Sequence, residues 1–187
     1  AVHDATEQAY PSPETGPLKV LVFGGSQGAS LFARTFAPAL AALPAELRQR
    51  LLVTHQVSDD DRAAASNLYS EAGIEAELAP FFTDLPERLA QSHLVIARSG
   101  ASSVSELSVI GRPSILVPLK IAMDDHQRLN AEVLTEAGAA ERILEDDLTV
   151  ETATEVLTSL LSDPQRLTAM AQAAKGRMAA GAAAALA

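Results

Sequence analysis

Two short stretches of this sequence combine glycines with small polar residues in the way an anion-gripping turn requires. Gly24-Gly25-Ser26-Gln27-Gly28-Ala29 follows one apolar run, and Arg98-Ser99-Gly100-Ala101-Ser102-Ser103-Val104-Ser105-Glu106 follows another. Glycines let the backbone turn tightly and approach a ligand closely, and the helix start that follows exposes N–H groups with no intrahelical acceptor. Gly25, Ser26, Gln27 and Gly28 are therefore candidate ligand contacts, as are Ser99, Gly100, Ala101 and Ser102. The first turn is neither the G-x-G-x-x-G dinucleotide fingerprint nor a Walker A loop. A plain strand-to-helix turn with Ser26 as N-cap is its structural alternative. Glu106 also has two readings. Ser103-x-x-Glu106 has the spacing of a capping box, in which the glutamate bonds back to the cap N–H. A carboxylate there could instead accept hydrogen bonds from two neighbouring ribose hydroxyls. Spacing alone favours the box.

A third polar segment, Pro118 to Asn130 (PLKIAMDDHQRLN), opens a helix with Asp124, Asp125, His126, Gln127 and Asn130. Side-chain amides donate and accept, which suits sugar hydroxyls. Acids and caps at a helix N-terminus explain the same residues without a ligand. They are preferred over a metal site built from Asp124, Asp125 and His126. Asp59-Asp60-Asp61 likewise reads as complementing the dipole of the helix it opens, in preference to a metal site. His3, His55 and His93 have no obvious triad partner, and there is no G-x-S-x-G nucleophile elbow.

Such turns need strands and helices to aim them, and the chain supplies both in alternation. Apolar runs at Leu18–Phe23, Leu51–Gln56, Ile74–Leu78, Leu94–Ala97, Ser114–Val117 and Ala140–Leu144 read as strands. Between and after them, helical patterns run from Ala29 to about Leu43, over Asp59–Ala72, Leu85–Gln91, Ser103–Ile110 and His126–Ala137, and then in two segments split near Asp163-Pro164. Gly73, Gly111 and Gly138 serve as stops. The alternation predicts an α/β fold: a Rossmann-like open parallel sheet of about six strands, covered by helices on both faces. Ligands of such sheets bind at the C-terminal strand ends, where the loops after Phe23, Leu78, Ala97 and Val117 lie. Residues 1–17 read as linker, 18–162 as the domain and 163–187 as a helical tail. The alanine-rich end of that tail shows no apolar stripe.

Composition narrows the function. The chain has 187 residues, 48% of them apolar, and a net charge of −10, so it is globular and repels nucleic-acid backbones and anionic membranes at long range. An anion must be held by local devices. With no cysteine, thiolate catalysis and cysteine-ligated metal centres are excluded. The chain opens on alanine without a signal-peptide pattern, as expected of a processed or truncated piece.

GGSQGA, RSGASSVSE, GRPSILVP and DHQRLNA, in this order from about Leu18 to Leu161, closely resemble the MurG family. Those bacterial transferases add N-acetylglucosamine to the lipid-linked muramyl-pentapeptide precursor of peptidoglycan. The resemblance implies the C-terminal, donor-binding half of a GT-B enzyme whose two Rossmann-like halves enclose the active site. It implies UDP-N-acetylglucosamine as donor, an inverting transfer and no cofactor. The acceptor (lipid I), the general base and the membrane contact would belong to the N-terminal half, which this sequence does not match. The fragment alone is then expected to be inactive, and the whole enzyme to work on the cytoplasmic face of the inner membrane. By motif, Glu106 would hold the ribose hydroxyls, and Ser26 with the Gly25–Gly28 backbone would face the diphosphate. Phe82 would lie where backbone groups read the uracil edge. Ala101 and Ser102 would meet the sugar through the backbone, and His126 and Gln127 would bond its hydroxyls. Arg98 would either touch ligand or brace the loop. The alternative is a non-catalytic nucleotide-sugar-binding subunit that completes a split glycosyltransferase with a membrane partner.

Overall fold

The computed structural model describes residues 8–120 and 125–185, with side chains through residue 176; His3 and Asp124 lie outside the described residues. Six strands, β1 (Leu18–Phe23), β2 (Leu51–Gln56), β3 (Glu75–Ala79), β4 (Leu94–Ala97), β5 (Ser114–Leu116) and β6 (Ala140–Arg142), form one sheet in the order β3-β2-β1-β4-β5-β6. Every pairing is parallel. Chain order reverses between β1 and β4, so the loops after these strands diverge and leave a crevice at their C-terminal ends.

Strand residues alternate between two cores, as burial on both faces demands. Val20, Val22, Val53, Ile96 and Ile115 point into one. There they meet α1 (Ala29–Ala41), α3 (Asp59–Glu71) and α7 (Val150–Leu161) through Phe32, Phe36, Tyr69 and Leu157. Leu21, Val95, Ala97 and Leu116 point into the other. They meet α4 (Leu85–Gln91), α5 (Ala101–Ile110) and α6 (His126–Glu136) through Leu89, Leu107 and Leu134. Phe32 and Phe36, fully buried and edge-to-face at 5.2 Å, anchor α1 beneath the first glycine turn. Each ring contributes about 1.5–3 kcal/mol by burial alone.

Several predicted boundaries move. The helix expected to reach Leu43 ends at Ala41, and a separate turn of helix, α2 (Ala45–Arg48), follows. The last helix, α8 (Pro164–Ala185), buries Leu167, Met170, Ala171 and Ala174 against the domain as one helical stripe. Residues 10–16 are strapped across the N-terminal strand ends. The Tyr10 hydroxyl donates to His93 O at 2.8 Å, while Arg50 donates to Pro13 O and Gly16 O, both at 2.9 Å. Next to this strap lies Arg112, 1% exposed. Its guanidinium donates to the carbonyls of Leu89 and Ala90 at the end of α4 and of Ile110 and Gly111 at the end of α5. A cation at a helix C-terminus is placed where the dipole favours it.

His55 is completely buried in β2, its Nδ1 2.7 Å from the Tyr69 hydroxyl and its Nε2 without a partner. Burial pushes its pKa down to about 3. The folded state therefore keeps the ring neutral while the unfolded chain protonates it near 6.5, so stability falls as pH drops below about 6.5. The slope contributed approaches about 1.4 kcal/mol per pH unit. Urea denaturation between pH 7 and 5 should show this slope, and the apolar double variant His55→Phe/Tyr69→Phe should have a flatter one.

Candidate functional site

The turn after β1 owes its shape to three glycines with different duties. Gly25 is left-handed, at φ +64°. Gly24 and Gly28 cross at contact: a Cβ on Gly24 would lie 2.4 Å from the Gly28 carbonyl carbon, and one on Gly28 2.5 Å from Gly24 O. That crossing lets α1 start at once, with Gly28 as its N-cap and no side chain closing it. The alternative with Ser26 as cap does not hold. Instead, the amides of Ser26 and Gln27 meet no acceptor among the described residues and remain available to a ligand. The amides of Gly24 and Gly25 are not free: both donate to Oε1 of Gln56, at 3.2 and 2.9 Å. Sequence reading missed Gln56, whose partners lie 32 and 31 residues away.

The turn after β4 behaves alike. Helix α5 begins at Ala101, two residues before the predicted start, with extended Gly100 as N-cap and no capping side chain. Ser103 therefore stands inside the helix, and the Ser103/Glu106 capping box is not formed. Glu106 is half-buried without a hydrogen bond or ion pair among the described residues. Burial lifts its carboxyl above the ordinary range. It is a carboxylate in want of donors.

Both uncapped helix starts open on one crevice of about 190 Å³, lined by Phe23, the Gly24–Gln27 turn, Arg98, Gly100, Ser103, Leu119 and Gln127. Of the predicted contacts, Gly25, Ser26, Gln27, Gly100 and Gln127 thus come together. Gly28 lies beneath the turn, while Ala101, Ser102 and His126 are exposed at the helix starts beside it. Ser99 and Asn130 act as braces. Ser99 Oγ donates to Gln127 O at 2.7 Å, and Asn130 Nδ2 donates to Ser99 O at 3.1 Å. Gln127 Oε1 accepts from Leu119 N–H at 2.9 Å, which joins the start of α6 to the loop after β5. Phe82 does not line the crevice; its ring lies 4.4 Å from the Arg88 guanidinium, on the loop after β3.

Arg98 is the buried cation of the site, 8% exposed. Its guanidinium pairs with Glu145 at 2.6 Å, donates to Val117 O at 3.2 Å and lies 5.3 Å over the Phe32 ring. It braces the loops after β4 and β5 from below and packs against Gly28, where a Cβ would come within 2.9 Å of Nε. Asp61, at the start of α3, accepts from Ser30 at 2.6 Å and from Arg34, so it fixes α1 from outside. Among the described residues no group of three or more acids and histidines is placed to hold a metal ion. A larger hollow of about 510 Å³ lies away from these turns, beside Tyr10, Arg112 and Lys175.

The parallel sheet, its strand order and the crevice at the reversal point define a Rossmann-like half of a GT-B glycosyltransferase. The chain belongs to the family of the glycosyltransferase family 28 C-terminal domain, which it matches over residues 19–186. It is 51% identical over 176 residues to the UDP-N-acetylglucosamine--N-acetylmuramyl-(pentapeptide) pyrophosphoryl-undecaprenol N-acetylglucosamine transferase of Rhodopseudomonas palustris, covering 94% of this chain and 48% of that protein. To the protein of the same name from Caulobacter vibrioides it is 53% identical, covering 89% and 46%. The crystal structure of Acinetobacter baumannii MurG superposes with a TM-score of 0.77 at 34% identity, covering 86% of this chain and 47% of that one. The chain thus spans about half the length of the relatives it matches.

The glycine turn makes an ordered prediction. Gly25→Ala meets no neighbour within 4 Å and carries only the left-handed backbone penalty, about 1 kcal/mol. Gly28→Ala must push apart Gly24 O and Arg98 and should cost more, about 1–3 kcal/mol. Urea denaturation of the two variants tests the order.

Proposed function

We propose that this chain is the donor-binding half of an inverting glycosyltransferase that moves N-acetylglucosamine from UDP-N-acetylglucosamine to lipid I, giving lipid II for peptidoglycan. One observation carries the reading: two uncapped helix N-termini, those of α1 and α5, open on the same crevice between β1 and β4. A dianionic diphosphate suits that arrangement, because aligned amides and helix dipoles bind anions without net positive charge. The names of the relatives supply the sugar and the acceptor.

The residue roles follow the motif resemblance, and the crevice supports them at the turn after β1, at Gly100 and at Gln127. The Ser26 and Gln27 amides meet the diphosphate, with Gly25 and Gly28 shaping the turn. Glu106, unpartnered and half-buried, accepts both ribose hydroxyls. Backbone groups at Phe82 read the uracil edge. Ala101 and Ser102 approach the hexosamine through the backbone, and His126 and the free Nε2 of Gln127 bond its hydroxyls. Ser99, Asn130 and Arg98 hold these groups in place.

In the reaction, the acceptor 4-hydroxyl attacks the anomeric carbon from the face opposite the diphosphate. The bond to the diphosphate oxygen breaks with its electron pair, and UDP leaves. Negative charge grows on the leaving group as the sugar becomes oxocarbenium-like. The two helix starts therefore stabilise the transition state more than the ground state. The attacking hydroxyl's proton is taken by a base from the N-terminal half of the enzyme. That half also supplies the lipid I site and the contact with the cytoplasmic face of the membrane; none of the described helices is long and apolar enough to cross a bilayer.

UDP-N-acetylglucosamine titration by calorimetry tests the reading. The chain should bind, and Glu106→Ala should weaken binding by about 10- to 100-fold, the scale of hydrogen bonds to a charged acceptor. Glu106 accepts best when ionised, and burial raises its pKa. Wild-type affinity should therefore fall on acidification at a pH above the usual glutamate value of about 4.3, with a steeper pH dependence than Glu106→Gln. No binding at millimolar ligand, or equal affinity in wild type and Glu106→Ala, defeats it.

A further inference from the structure

Gln56 ends β2, the strand between β1 and β3, and its side chain reaches both neighbouring loops. Oε1 accepts from the amides of Gly24 and Gly25, at 3.2 and 2.9 Å, and Nε2 donates to Pro80 O at 3.0 Å. Pro80 immediately precedes Phe81 and Phe82. The turn's own bonds are long by comparison: Gly25 O accepts from Ala29 N–H at 3.2 Å and from Gly28 N–H at 3.4 Å. The left-handed Gly25 is thus held chiefly from outside, by the side-chain amide. Only an amide of this length serves both ends. Glutamate has no donor for Pro80 O, and asparagine is one methylene shorter.

We infer that Gln56 is a positioning residue for nucleotide recognition, setting the separation between the diphosphate turn after β1 and the loop after β3. The inference rests on the donor-binding reading and extends it to a residue outside every glycine motif. By fixing the Gly24 and Gly25 peptide planes, Gln56 aims the next two amides, those of Ser26 and Gln27, into the crevice. By holding Pro80 O, it keeps the Phe82 backbone at a set distance from them. A ligand that spans both rims gains from this spacing, because its second contact is made at no further ordering cost. A ligand that touches one rim gains nothing.

The experiment compares UDP with uridine on the full chain and on Gln56→Ala and Gln56→Met, following amide shifts by NMR and thermal stability alongside. Met keeps the side-chain length without the polar atoms, and carries the same comparison if the Ala variant does not fold. UDP affinity should fall roughly tenfold, the scale of one or two lost hydrogen bonds, while uridine affinity is unchanged. Amide exchange at Gly24 and Gly25 should accelerate in both variants. If wild type binds UDP and the variants bind it equally well, this inference alone is overturned. Equal losses for UDP and uridine overturn it too, because they indicate general loosening of the fold. If wild type itself fails to bind UDP, the donor-binding reading falls and the inference with it.

Discussion

A helix start is a row of aligned N–H donors that lack acceptors, and most proteins satisfy it with a side chain from the preceding residues. Here the starts at Gly28 and Gly100 carry no side-chain cap, as the starts of α3, α4 and α6 also do not, and what sets the two apart is that they open beside each other on one crevice. The rest of the upper rim follows from keeping these donors unsatisfied yet rigid. Gly24 and Gly28 cross at contact distance, Phe32 and Phe36 pin α1 from the core, and Asp61 clamps it from the neighbouring helix. Donors fixed in advance need no reorganisation when charge develops before them.

Charge at the site is handled locally. The chain carries a net charge of −10, yet its crevice contains a buried guanidinium. Glu145 neutralises Arg98, and Asp146 pairs with Lys120 at 2.5 Å on the same short 3-10 turn. Glu106 is half-buried without a hydrogen bond or ion pair among the described residues.

Much of this was legible in the residues. LVIA, and LKVLVF apart from Lys19, are apolar on both faces, as strands of a covered parallel sheet are, and the alternation of such runs with helical patterns gave the layers correctly. The glycine turns were legible as turns. Their internal logic was not, because the contact between Gly28 and Arg98 joins residues 70 positions apart in sequence. Ser103 and Glu106 misled for a local reason: the spacing of a capping box is present, but extended Gly100 starts the helix two residues earlier. Gln56 reads as an ordinary polar strand end, and nothing in its neighbours announces partners across two loops. Nothing in the residues beside Arg112, Gly111 and Pro113, announces that it is almost wholly enclosed. In the last helix Leu167 and Met170 mark the buried stripe, whereas Ala171 and Ala174 continue it with a residue equally at home inside and outside.

The enclosed Arg112 has a consequence at the other pole of the molecule. It donates to the final carbonyls of α5, the helix whose start lines the crevice through Gly100 and Ser103. One terminal of that dipole is thereby permanently neutralised, with no mobile counter-ion needed. The opposite end keeps its partial positive charge at the solvent-facing Gly100–Ser102 start, so the α5 dipole is compensated at one pole and free to meet an anion at the other.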